Sequence, residues 1–164
     1  MSILVRKINR AKWPNDRCGI KKIRADAITY DLKTRDDSIS VWRINSKEEV
    51  DEAIVALASN CDSISKIDVV LMEEQHLKRR KVRIDDNIIG DTPYTSFNEK
   101  HCHIHELNIK SLATVAKHIG QRLLLNGTFY RRTAGQVKRL LIKAIEDDKL
   151  LVSELSDGIH NKII

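Results

Sequence analysis

Along this chain the spacing of apolar residues switches between alternation and helical stripes, and the switches mark out its elements. Residues 38–44 (SISVWRI) place Ile39 and Val41 on one face and Trp42 and Ile44 on the other, which predicts a strand buried on both sides. Ser46 and Glu49 have the spacing of a capping box. Val50, Ala53, Ile54 and Leu57 then form one helical stripe that Asn60 can end. Residues 67–72 (IDVVLM) read as a nearly continuous apolar strand. Strand, capped helix and buried strand in this order predict a right-handed βαβ unit if the strands are parallel neighbours.

The flanking segments follow the same logic. Residues 2–8 (SILVRKI) suit a short edge strand, and residues 26–33 (DAITYDLK) a second strand rich in β-branched and aromatic side chains. Trp13-Pro14-Asn15-Asp16, Arg35-Asp36-Asp37 and Asp85-Asp86-Asn87 are turn chemistry. Residues 76–84 (HLKRRKVRI) predict an exposed strand with cations on both faces, and residues 90–100 a loop. Residues 101–107 predict a strand, after which Asn108 caps a helix striped by Leu112, Val115, Ala116, Ile119 and Leu123. Asn126-Gly127 ends it. Thr133 and Gln136 make a second capping box, ahead of Val137, Leu140, Leu141, Ala144 and Ile145. Beyond Asp148 two readings stand: the stripe continues through Leu151, Val152 and Leu155 to Gly158, or residues 150–155 and 159–164 pair as a hairpin about Asp157-Gly158.

The pattern predicts an α+β (or small α/β) fold: a mixed sheet with one βαβ unit and two C-terminal helices. A length of 164 residues fits one domain, or one domain with an appendage. Residues 1–24 form a basic N-terminal arm, or an edge strand plus turn. Residues 25–164 form a single α+β domain, sheet-rich over 25–107 and helical over 108–164. No apolar run approaches the ~20 residues that span a bilayer. The three cysteines, Cys18, Cys61 and Cys102, form no CxxC pair, which favours a reducing, cytoplasmic setting. The basic N-terminus lacks the serines and the apolar stretch of a targeting segment.

Charge changes the picture most. The net charge is +6, and residues 1–24 hold eight basic side chains against the single acid Asp16. The other 140 residues hold 21 basic and 22 acidic side chains. The expected function is therefore non-enzymatic binding of nucleic acid, DNA or RNA. Its contacts would come from Arg6, Lys7, Arg10, Lys12, Trp13, Arg17, Lys21 and Lys22 in the arm, and Lys78, Arg79, Arg80, Lys81 and Arg83 in the basic strand. Cations contact phosphates, and Trp13 offers a ring for stacking. The alternative is an interaction subunit that docks the same surface on an acidic protein partner. A homo-oligomer stays open, and no membrane partner or cofactor is called for.

Weaker constellations complete the reading. Arg132, Gln136, Arg139 and Lys143 share a helix face, the order of elements seen in a winged helix-turn-helix. His101, His103 and His105 share one strand face, the basis of a third reading as a metal-dependent nuclease or hydrolase. They do not converge without a further ligand, so no metal site is assigned.

Overall fold

The computed structural model describes residues 2–14 and 23–163. It has the expected α+β class, but the sheet is not the mixed one expected: every strand pair is antiparallel. β1 (Ile3–Ile8), β2 (Ile39–Ile44), β3 (Ile67–Glu73), β4 (Arg83–Asp85), β5 (His101–His105) and β6 (Phe129–Arg132) lie in the order β4-β5-β2-β1-β3-β6. The predicted edge strand is thus a central one. Leu4 and Val5 of β1 are fully buried because the strand pairs with β2 on one side and β3 on the other. This placement also splits the expected βαβ unit: β2 and β3 are each antiparallel to β1, so they run parallel to one another but are not neighbours. β2, α2 (Val50–Ser59) and β3 follow one another as expected, but β1 occupies the slot between the two strands.

Alternation along each strand feeds two cores. Val5, Trp42, Ile44, Val69 and Leu71 point to the side covered by α2, α5 (Ala134–Glu146) and α6 (Asp157–Ile163). Leu4, Ile8, Ile39, Val41, Val70, Met72, Cys102 and Ile104 point to the opposite side, covered by α1 (Ala25–Asp31), α3 (Glu74–Arg79) and α4 (Ile109–Arg122). The expected stripes of α4 and α5 meet these cores; the Thr133–Gln136 capping box forms, and the Asn108 cap is itself a box, closed by Ser111. At α2, Ser46 makes no side-chain cap; Glu49 instead reaches back to the Asn45 N–H, across a 3-10 turn over Lys47–Glu49.

Four expectations fail, each for a local reason. Residues 26–31 of the expected strand 26–33 lie in helix α1, because Ala27 and Asp31, one helical turn apart, are the buried pair. Residues 76–84 are the end of α3, a turn and β4 rather than one strand. α3 ends in a Schellman motif, in which the Val82 N–H bonds the Leu77 carbonyl and the Lys81 N–H bonds the Lys78 carbonyl. Leu77 and Val82 supply the buried contact that usually accompanies it, and Lys81 takes the left-handed position at φ 62°. The connection from Asn126 to Arg132 contains β6, and α4 and α5 lie on opposite faces of the sheet, so no winged helix-turn-helix exists. Finally, residues 150–163 are neither a continued helix nor a hairpin. A 3-10 turn over Val152–Glu154 leads to the separate α6.

Candidate functional site

The two helical layers differ in charge. α1, α3 with its following turn (residues 80–82) and α4 carry seven basic and three acidic side chains. Two of those acids, Asp31 and Glu74, are buried, so Asp26 is the only exposed acid in these segments. On the other face, α2 with its 3-10 turn, α5 and α6 carry five basic and six acidic side chains. The sheet separates a basic surface from a mixed one. The sequence contains this signal, but only the strand order shows which segments share a side.

Lys78 to Lys81 of the basic run lie on this basic side, whereas Arg83 alternates with Ile84 in β4 and points to the other face. Lys78 is held by Glu74 at 2.6 Å and Arg83 by Glu106 at 2.5 Å. Arg79, Arg80 and Lys81 are exposed with no carboxylate partner among the described residues. Lys110 and Lys117 are exposed on α4, whose fourteen residues contain no acid.

Sequence reasoning missed the buried carboxylates that organise this side. Glu74 accepts from Ser2 Oγ at 2.5 Å, from Arg43 at 2.9 and 2.8 Å and from Lys78. Burial opposes its ionisation, but the bonds from Lys78, Ser2 and Arg43 prevail and hold its carboxyl down at about 2. Asp31 accepts from the Asn9 N–H at 2.9 Å and from Trp13 Nε1 at 2.7 Å. Asp68 forms a two-pronged pair with Arg131 at 2.7 and 2.9 Å. Asp31 and Asp68 are each a single acid within an apolar or β-forming stretch, and Glu74 sits between Glu73 and a polar run, so spacing singles out none of them.

The arm residues scatter among separate tasks. Trp13 is 2% exposed and bonded to Asp31, so its ring has no face free for a nucleic-acid base. Arg6 donates to the carbonyls of Asp31 and Ser40. Lys7 is exposed, with Nζ 3.7 Å from Cys61 Sγ. Arg10 bonds the Trp13 and Pro14 carbonyls, and its guanidinium lies 5.8 Å from the Phe129 ring centre. Lys12 Nζ lies 4.3 Å above the Tyr30 ring. Arg17, Lys21 and Lys22 fall outside the described residues. In the last helix pair, Arg132 bonds Asp51 and Gln136 caps α5, so the four-residue basic face is half engaged.

The histidine strand does share a face, but its rings have separate partners. His101 Nδ1 lies 3.1 Å from the Ile88 carbonyl, and His103 Nε2 lies 3.3 Å from Ser40 Oγ. Burial lowers the pKa of both. No three metal-ligating side chains converge among the described residues. His118 lies elsewhere, 3% exposed on α4 and stacked on His76 at 4.3 Å between ring centres. Its Nε2 accepts the Glu73 N–H, which puts the proton of the neutral ring on Nδ1, a buried atom with no partner. Burial, then His76 and Arg122, push its pKa down to about 4.

No helix among the described residues is long and apolar enough to cross a membrane. Comparisons with protein-family models, with curated proteins and with solved structures match nothing to this chain.

Proposed function

We propose that the protein is a non-enzymatic binding protein that engages the phosphate backbone of nucleic acid through its α3–α4 side. The observation that carries this reading is the charge segregation across the sheet: exposed Arg79, Arg80, Lys81, Lys110 and Lys117 on a side where α1, α3 and α4 expose one acid. Arginine and lysine exposed without carboxylate partners are what phosphate contact requires, and releasing condensed counterions makes such binding salt-dependent. The basic N-terminal residues add to the same field over a longer range.

The test compares two triple variants by fluorescence anisotropy on labelled duplex DNA, single-stranded DNA and RNA. Arg79→Ala with Arg80→Ala and Lys81→Ala should weaken binding and flatten its salt dependence, by roughly 0.9 in log–log slope for each lost phosphate contact on duplex. Lys138→Ala with Arg139→Ala and Lys143→Ala, on the mixed side, should leave both unchanged. Equal behaviour of the two variants would refute the proposal, as would wild-type protein that binds none of the polymers.

A further inference from the structure

The ladder between β1 and β2 covers only Ile3–Val5 against Trp42–Ile44, although β1 runs on to Ile8 and β2 begins at Ile39. β1 stays paired with β3 as far as Ile8, and β2 with β5 as far as Ile39. The sheet therefore parts at this end into two three-stranded halves. Arg6 fills the opening. Its Nε and Nη2 donate to the Asp31 carbonyl at 3.1 and 2.5 Å, and Nη1 donates to the Ser40 carbonyl at 2.7 Å.

Both acceptors are neutral. The nearby Asp31 carboxylate is already occupied by the Asn9 N–H and by Trp13. Three of the five guanidinium N–H groups are used, which leaves one on each terminal nitrogen. A charge held this way has fixed geometry and no bonded counter-charge. Burial lowers the Arg6 pKa, only partly offset by Asp31.

Two clefts share Arg6 as a wall. One, of about 510 Å³, is lined by Lys7, Ser65, Lys66 and Tyr30. The other, of about 430 Å³, is lined by Lys33, Arg35, Asp36 and His103. Of the acids at the first cleft, Asp68 is paired with Arg131, while Asp31 bonds the neutral Asn9 N–H and Trp13 indole and keeps a charge that offsets part of that of Arg6. Tyr30 is 63% exposed, and Lys12 lies over its ring.

We propose that the Arg6 opening binds a phosphate monoester, carried either by a free nucleotide or by the 5′ end of a nucleic-acid strand. The guanidinium fork meets two phosphate oxygens, which is the bidentate geometry arginine favours. Lys7 and Lys66 supply the second positive charge that a dianion needs, and Tyr30 offers a surface for the attached base. A phosphate diester within a strand carries one charge and is served by the exposed α3–α4 side. The Arg6 site takes a terminal group, so it goes beyond that reading and does not depend on it.

Isothermal titration calorimetry tests the site with inorganic phosphate, adenosine 5′-monophosphate, adenosine, and one oligonucleotide with and without a 5′-phosphate. Phosphate and the monophosphate should bind and adenosine should not. Lys7 and Lys66 are exposed, so Lys7→Ala with Lys66→Ala keeps the fold and should weaken phosphate binding roughly tenfold or more. Arg6→Lys, which keeps charge but loses the fork, should weaken it as well. The Arg79, Arg80 and Lys81 triple variant should bind the monophosphate like wild type, which separates this site from the α3–α4 side. Tighter binding of the 5′-phosphorylated oligonucleotide than of its 5′-hydroxyl form, by more than the free monophosphate's own affinity explains, assigns the strand end; parity between the two forms assigns the free nucleotide. Folded wild-type protein that binds no phosphate in the millimolar range overturns the proposal. So does equal phosphate affinity in the Lys7 and Lys66 variant.

Discussion

The two faces of the sheet are built from different materials. Toward α2, α5 and α6 the core is aliphatic and aromatic, and its buried polar residues are the neutral Ser59, Thr92 and Asn98. Toward α1, α3 and α4 the core also holds every buried carboxylate and histidine among the described residues: Asp31, Asp68, Glu74 and His118. The same side carries the surplus of exposed cations. An apolar core needs only shape, whereas a buried charge must have partners in place, since leaving it unpaired costs several kcal/mol. Here the buried acids hold the basic surface in position: Glu74 fixes Lys78, and Asp31 fixes the first segment through Asn9 and Trp13.

The contrast breaks most sharply by truncation on the dry side. Ile54 is fully buried, and Ile54→Ala should cost about 2–5 kcal/mol in urea unfolding. The loss should be the same at pH 7.5 and pH 5, because no group that titrates in that range is touched. A loss that changed with pH would mean that the two cores are not independent.

Acid should act on the other side. His118 is held near 4, below the 6.5 of an unfolded histidine, so the folded state binds fewer protons between those values. Stability therefore falls as pH drops from 6.5 toward 4, by about 2 kcal/mol on reaching pH 5. Protonation would also take Nε2 away from the Glu73 N–H. Glu74, held near 2, contributes stability that is intact above 4.5 and is lost only below that. His118→Gln should flatten the pH 5–7 limb of the stability curve, and an unaltered limb would assign it to other groups.

Smaller effects sharpen the picture. Trp13→Phe keeps the packing and removes one hydrogen bond to a buried carboxylate, at a cost of about 1–2 kcal/mol by the same measurement. A neutral result would mean that the Asn9 N–H alone satisfies Asp31. Lys81→Gly should act in the opposite direction. It relieves a side chain held at φ 62° and should stabilise by roughly 1 kcal/mol while weakening nucleic-acid binding. A stabilised variant with undiminished binding would remove Lys81 from the contact surface.

Where the local period was long and clean, the fold was legible. β2, β3, β5, α4 and α5 follow from apolar alternation or runs, helical stripes, the Asn108 cap and the Thr133–Gln136 capping box. α1 was hidden because Ile28, Thr29 and Tyr30 favour strands, and burial of Ala27 and Asp31 overrides that preference. α3 has six residues, too few to display a period, and β6 is four residues placed directly after a turn signal. Strand order was not legible, because β1 finds partners dozens of residues away. The same gap hid the site. The exposed cations could be named from composition, but Arg6 gains its setting from where one ladder stops, and no local pattern encodes that.

The first strand in the chain being a central strand of the sheet bears on how the protein is made. β1 leaves the ribosome before the others, yet its partners β2 and β3 begin 36 and 64 residues after it does. Until β3 emerges, one side of an apolar strand has nothing to pair with. Contacts this distant in sequence slow folding and expose sticky edges to other chains. The lysine and arginines at positions 6, 7 and 10 then have an early use, as like charges that keep nascent chains apart. Removing residues 1–24 would take away both that protection and the strand that joins the two half-sheets.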